Sequence, residues 1–215
     1  MTLKRIPDRE RASASLIRAV PGRKRSNGFL AVAGVFWASL LCIGFLFLAQ
    51  EEFTPAKTRL SVTPFPRSSA ILLVSDKLTL VFFAHPHCPC TRASLHELDR
   101  LLAGTQNRVS ATVVFTIPDG VPAGWEQGDL WNSAKGIPGL TVIRDQGGRE
   151  AHRFEVEGSG HVLLYAPTGK LLFSGGITAS RGHEGDNMGR SAIVSFILDG
   201  QSPLSHTPVF GCSLL

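Results

Sequence analysis

Cys88-Pro89-Cys90 places two thiols one residue apart, His85 and His87 stand just before them, and a further sulfur, Cys212, lies far along the chain. Sulfur and imidazole in this pattern suit two kinds of chemistry. A thiolate can exchange with a disulfide, or thiolates and imidazoles together can bind copper or zinc. Position decides between them. Leu78-Thr-Leu-Val-Phe-Phe-Ala84 leads into the pair and is predicted to be a strand buried on both faces. Thr91 to Leu102 follows as a predicted helix, with Leu95, Leu98, Leu101 and Leu102 on one apolar stripe and Gly104 ending it. Where a strand meets a helix N-terminus, backbone N–H groups are unpaired and the helix dipole is positive. A thiolate there is favoured, and the thiol ionises below its free value of about 8.5. Pro86 and Pro89 are expected to fix the turn and expose the sulfurs.

The remaining elements follow from periodicity and punctuation. Val109 to Ile117 is predicted to be a second buried strand, closed by Pro118-Asp119-Gly120. Trp125 to Lys135 reads as a short helix, Leu140–Arg144 as a strand, and His161–Tyr165 with Lys170–Phe173 as a hairpin around Ala166-Pro-Thr-Gly169. Asn187 to Asp199 completes the set as a helix capped by Asp186 or Asn187 and stopped by Gly200. This order predicts an α/β domain with a mixed central sheet flanked by helices.

Charge is unevenly placed. Of a net +5, residues 1–28 hold +6, from eight basic against two acidic side chains, which leaves about −1 for the rest. The folded part therefore lacks the basic surface that nucleic acid requires, and no nucleic-acid partner is expected. Residues 29–49 carry no charge over 21 positions, enough at about 1.5 Å per residue to cross a bilayer core of roughly 30 Å. Arg23, Lys24 and Arg25 precede this run, and Glu51 and Glu52 follow it. The asymmetry predicts a cytoplasmic N-terminus and an extracytoplasmic C-terminal domain. The length of the run and the poor small-x-small pattern at Phe47 and Ala49 favour an uncleaved anchor over a cleaved signal. The expected organisation is a basic tail at 1–28, an anchor at 29–49, a proline-bearing tether at 50–67, the domain at 68–200 and a cysteine-containing tail at 201–215.

Strand, Cys-Pro-Cys, helix, then βαβ and a late hairpin together resemble the thioredoxin fold. Within it the chain is similar to membrane-anchored RedB-type thioredoxin-like proteins, on FFAHPHCPCTRASLHEL at 82–98, LLFSGGITASRGHEGDN at 171–187 and the terminal FGCSLL. The resemblance implies a thiol–disulfide oxidoreductase in the inner membrane with its domain in the periplasm, acting on cysteines of another protein and needing no cofactor. Two departures stand out. The redox pair of that fold is spaced Cys-x-x-Cys, whereas a bridge within Cys88-Pro89-Cys90 closes a smaller, strained and more oxidising ring. The usual cis-proline position corresponds to Ser159-Gly160, so the substrate-docking loop at Gly160 is expected to differ.

Several roles stay open. Cys88 is expected to be the attacking thiolate and the more exposed sulfur, with Cys90 or Cys212 resolving the mixed disulfide. Alternatively Cys212, on an exposed-looking tail, forms a permanent bridge. His85 and His87 either tune the thiols or act as ligands. The glycine-rich loop 175–187 offers Arg181, His183 and Glu184 for a substrate or metal, or simply caps its own backbone. The second function class is a copper chaperone resembling Sco proteins, with Cys88, Cys90 and His183 as ligands, although their longer cysteine spacing is missing. His96 is expected to be solvated, Trp125 and Trp131 to pack the domain, and Cys42 to be an inert apolar residue in the span.

Overall fold

The apolar run ending at the cysteine pair becomes the middle of the sheet. In the computed structural model, which describes residues 28–56, 63–105 and 108–214, β1 (Leu78–Ala84) pairs parallel with β2 (Val109–Ile117) and antiparallel with β4 (His161–Tyr165). β3 (Leu140–Gln146) lies parallel beyond β2, and β5 (Leu171–Gly176) lies antiparallel beyond β4, giving the order β3-β2-β1-β4-β5. Burial of both faces of β1 explains why its sequence lacks the alternation of a half-solvated strand.

Alternate β1 side chains serve two cores. Leu80 and Phe82 face α2 (Pro89–Thr105), α3 (Asp129–Gly136) and α5 (Met188–Asp199) through Leu95, Leu98, Trp131 and Ile193. Val81 and Phe83 face Phe154, Val156 and Leu214 on the other side, where α4 (Arg149–Arg153) also sits. The α2 stripe predicted from leucine spacing is the one that is buried. The expected cap of α5 is Asn187, whose side chain accepts from the Arg190 N–H, and Gly200 ends that helix at φ 74°.

Three elements differ from expectation. α3 begins at Asp129, leaving Trp125 in the preceding turn. α4 is too short for periodicity to reveal; Asp145 initiates it by accepting from the Glu150 and Ala151 N–H groups. Phe65, assigned to the tether, packs edge-on against Phe154 and Tyr165, and its N–H donates to Gly169.

The tail 201–214 is not loose. Its backbone pairs with the outer edge of β5 and then with residues 157–159: Ser174 N–H donates to Ser205, Thr207 N–H to Ser174, Ser159 N–H to Cys212 and Leu214 N–H to Glu157. An edge strand with unpaired N–H and C=O groups is a template for such an addition. Absent side chains permit the close approach. A Cβ on Gly175 would stand 2.4 Å from Thr207 Oγ1, and one on Gly211 would stand 1.9 Å from the Ser159 carbonyl oxygen.

α1 (Gly28–Phe53) begins one residue before the predicted span and runs four residues past it. It is long and apolar enough to cross a membrane. The chain divides into two units, one through Phe45 and one from Leu46. The predicted basic tail lies outside the described residues except for Gly28, as do residues 57–62 of the tether.

Candidate functional site: three sulfurs at the start of α2

Cys88 immediately precedes α2, and Pro89, which lacks an N–H to leave unpaired, takes the first helical position. Thr91 N–H donates to the Cys88 carbonyl and closes the turn. Behind this turn Ser159 acts as a pin that the sequence reading missed: its hydroxyl accepts from the His85 N–H at 2.9 Å and meets Thr91 Oγ1 at 2.8 Å. Nothing in a lone serine signals this, although it adjoins the noted Gly160. Gly160 itself has φ 89° and donates its N–H to Phe83 across the β1–β4 pair.

The central geometric fact is the position of Cys212. The docked tail brings its Sγ to 2.7 Å from Cys88 Sγ, well inside non-bonded sulfur contact. Cys88 is 1% exposed, contrary to the expectation that it would be the open sulfur; the tail covers it. Cys90 and Cys212 are half-buried. Arg181 comes from the loop after β5 and donates Nη1–H to the Gly211 carbonyl at 3.0 Å, beside Cys212.

Electrostatics divide the three thiols. Burial works against a Cys88 thiolate, but hydrogen bonds from the Cys212 thiol, the Cys212 and Cys90 N–H groups and the Thr91 hydroxyl outweigh it and hold the pKa below the ordinary thiol value. Burial pushes Cys212 up to about 12, reinforced by Cys88 and opposed by the Arg181 charge. Burial and then Cys88 likewise raise Cys90, again opposed by Arg181. One low thiol therefore stands between two high ones, and one guanidinium faces both of these.

His85 and His87 sit on the outer side of the turn. His87 N–H donates to His85 Nδ1, and the His87 ring meets the Trp125 carbonyl at 2.9 Å and the Trp125 ring at a centroid distance of 4.3 Å. Burial, then His87, lowers the His85 pKa, which works against a positive charge on that imidazole beside the thiols. Trp125, expected only as packing, is thus part of the site's outer wall. An open cleft of about 350 Å³ lies beside it, reaching Cys88 between His87, Arg92 and Asp129.

Not every predicted residue converges here. Gly160 is buried, with the Phe210 carbonyl oxygen 3.8 Å from where its Cβ would be, so the tail occupies the space expected to dock a substrate. His183 is exposed, and among the described residues no group of three or more His, Cys, Asp or Glu side chains is placed to hold a metal. The end of the glycine-rich loop is bound to α2. Glu184 pairs with Arg100 and with His96, which is therefore not merely solvated, and buried Glu97 accepts from the Gly185 N–H and pairs with Arg100 and Arg190. Only Arg181 of that loop reaches the sulfurs.

No family model matches the chain, and no curated protein matches it. Solved structures do. An uncharacterized conserved protein from Geobacillus kaustophilus superposes with a TM-score of 0.56 at 20% identity, covering 75% of this chain and 92% of that one. A hypothetical protein from Sinorhizobium meliloti gives 0.55 at 17% identity, covering 74% and 97%. The exposed lipoprotein thioredoxin of Streptococcus pneumoniae gives 0.42 at 20% identity, covering 58% and 86%. The fold is thioredoxin-like, a mixed five-stranded sheet flanked by helices.

Proposed function

We propose that the protein is a membrane-anchored thiol–disulfide oxidoreductase of the RedB type, acting outside the cytoplasm on cysteines of another protein. Its redox couple is Cys88 with Cys212. The observation that carries this reading is the 2.7 Å approach of the two sulfurs at the start of α2. There the fold lowers the pKa of one thiol and raises that of its partner. Such a pair is suited to open and close a disulfide: the low-pKa sulfur is both the readier thiolate and the better leaving group. α1 supplies the span, and the basic residues before it favour an inner-membrane orientation with the domain in the periplasm. No nucleic-acid partner or cofactor enters this reading.

Each turnover makes and breaks the Cys88–Cys212 bond. The bridge gains two electrons and two protons on becoming two thiols, while a partner dithiol loses the same on becoming a disulfide; the reverse direction uses the same bonds. The test uses the full chain in detergent, oxidised and then mixed with a peptide dithiol. Cys88→Ser is expected to abolish peptide oxidation. Exchange by that variant at the parent rate refutes the assignment.

A further inference from the structure

Resting on that reading, a difficulty of access remains. Cys88 is 1% exposed and its Sγ lies against Cys212, so the bridge offers an external sulfur little surface even from the cleft beside the turn. Cys90 is half-buried, lies in the first turn of α2 next but one to Cys88, and keeps more open surface than Cys88 does. Arg181 links the two flanking sulfurs, since it holds the Gly211 carbonyl beside Cys212 and its charge also falls on Cys90. Among the described residues its Nε is buried without a hydrogen-bond partner, so the guanidinium retains an unused donor within this cluster.

We propose that Cys90 is the access thiol of a three-sulfur relay in which Cys88 exchanges partners between Cys212 and Cys90. In the first step the Cys90 thiolate attacks Cys88 Sγ. The Cys88–Cys90 bond forms, the Cys88–Cys212 bond breaks, and the electron pair leaves on Cys212, which takes up the proton Cys90 gave to solvent. This step is redox-neutral, and it frees the tail from its sulfur anchor. The new bridge spans one residue and is therefore strained and reactive. In the second step a thiolate of a protein dithiol attacks Cys90 Sγ, and Cys88 leaves as the thiolate its surroundings favour. In the third the substrate's other thiol attacks its own sulfur in that mixed disulfide and expels Cys90. The substrate loses two electrons, and the protein's original disulfide has gained them. Arg181 faces the sulfur that carries the charge both before and after the first step, which lowers the cost of passing it from Cys90 to Cys212.

Two measurements on the oxidised full chain in detergent test the relay. Excess single-cysteine peptide stalls the sequence at the mixed disulfide, which acid quenching and mass spectrometry then locate; the expected site is Cys90, and a mixed disulfide on Cys88 or Cys212 overturns the relay. With a peptide dithiol, Cys90→Ser and Cys90→Ala are expected to slow single-turnover oxidation at least about tenfold. Both keep the Cys88–Cys212 bridge, and its formation reports that they have folded. Parent-like rates in these variants refute the relay and leave the Cys88–Cys212 couple standing, whereas activity in Cys88→Ser removes the couple itself.

Discussion

Docking of the tail and closure of the Cys88–Cys212 bridge must favour each other, since each holds Cys212 against Cys88. Gly211→Ala separates them. Its Cβ would lie 1.9 Å from the Ser159 carbonyl oxygen, a backbone atom that cannot turn aside, so the tail must lift. Lifting it sacrifices the Ser159-to-Cys212 and Leu214-to-Glu157 hydrogen bonds, at 2.8 and 2.9 Å. At about 0.5–1.5 kcal/mol each, their loss costs roughly 1–3 kcal/mol. Bridge closure carries that cost, because an undocked tail presents Cys212 less often. The reduction potential of the couple should therefore rise by about 20–60 mV, the bridge becoming easier to reduce. Equilibration against glutathione buffers, with alkylation and mass spectrometry of Cys212, measures the shift. Gly104→Ala is the control, since a Cβ there meets nothing within 4 Å among the described residues. A potential for Gly211→Ala within about 10 mV of the parent value refutes the coupling.

Alkaline pH should separate the reduced protein from the oxidised one. Cys212, held near 12 when folded, keeps its proton after an unfolded thiol has lost it, so the reduced form loses stability as pH rises from about 9 toward 12; melting curves of the bridged form, which has no Cys212 thiol, should lack this loss. Burial lowers His161 to about 4, and its Nε2 meets Ser174 Oγ at 2.9 Å. The neutral imidazole is the folded form, so stability is complete above about pH 6.5 and falls as pH drops toward 4; His161→Gln should flatten the dependence of melting temperature on pH over that window. Asn187→Ala removes the side-chain acceptor for the Arg190 N–H and should cost about 1 kcal/mol in denaturant unfolding.

The elements nearest the site were readable because each sequence signal there is local. Seven consecutive strand residues, a leucine stripe at helical spacing and a glycine at φ 82° in the Ala166–Gly169 turn need only their neighbours to act. Elements lacking a full period were not readable. α4 has five residues, and its initiating Asp145 looks in sequence like any residue after a strand. The loop 175–187 stayed open between two readings for a related reason. Its composition permits a ligand site, yet Gly175 and Gly176 make room for the tail, and Glu184 with Gly185 ties the loop to α2.

By itself the sequence determined an apolar span near the N-terminus, a mixed α/β domain, and a pair of thiols at a helix start, where dipole and free N–H groups favour a thiolate. The tertiary structure alone decided which sulfur Cys88 meets. Cys212 stands 124 positions away in the chain, and its segment carries little local preference of its own. It reaches Cys88 because β5 offers an open edge and glycines remove the side chains that would hold the tail off. Those hydrogen-bond partners come from segments distant in the chain, and no periodicity encodes such pairings.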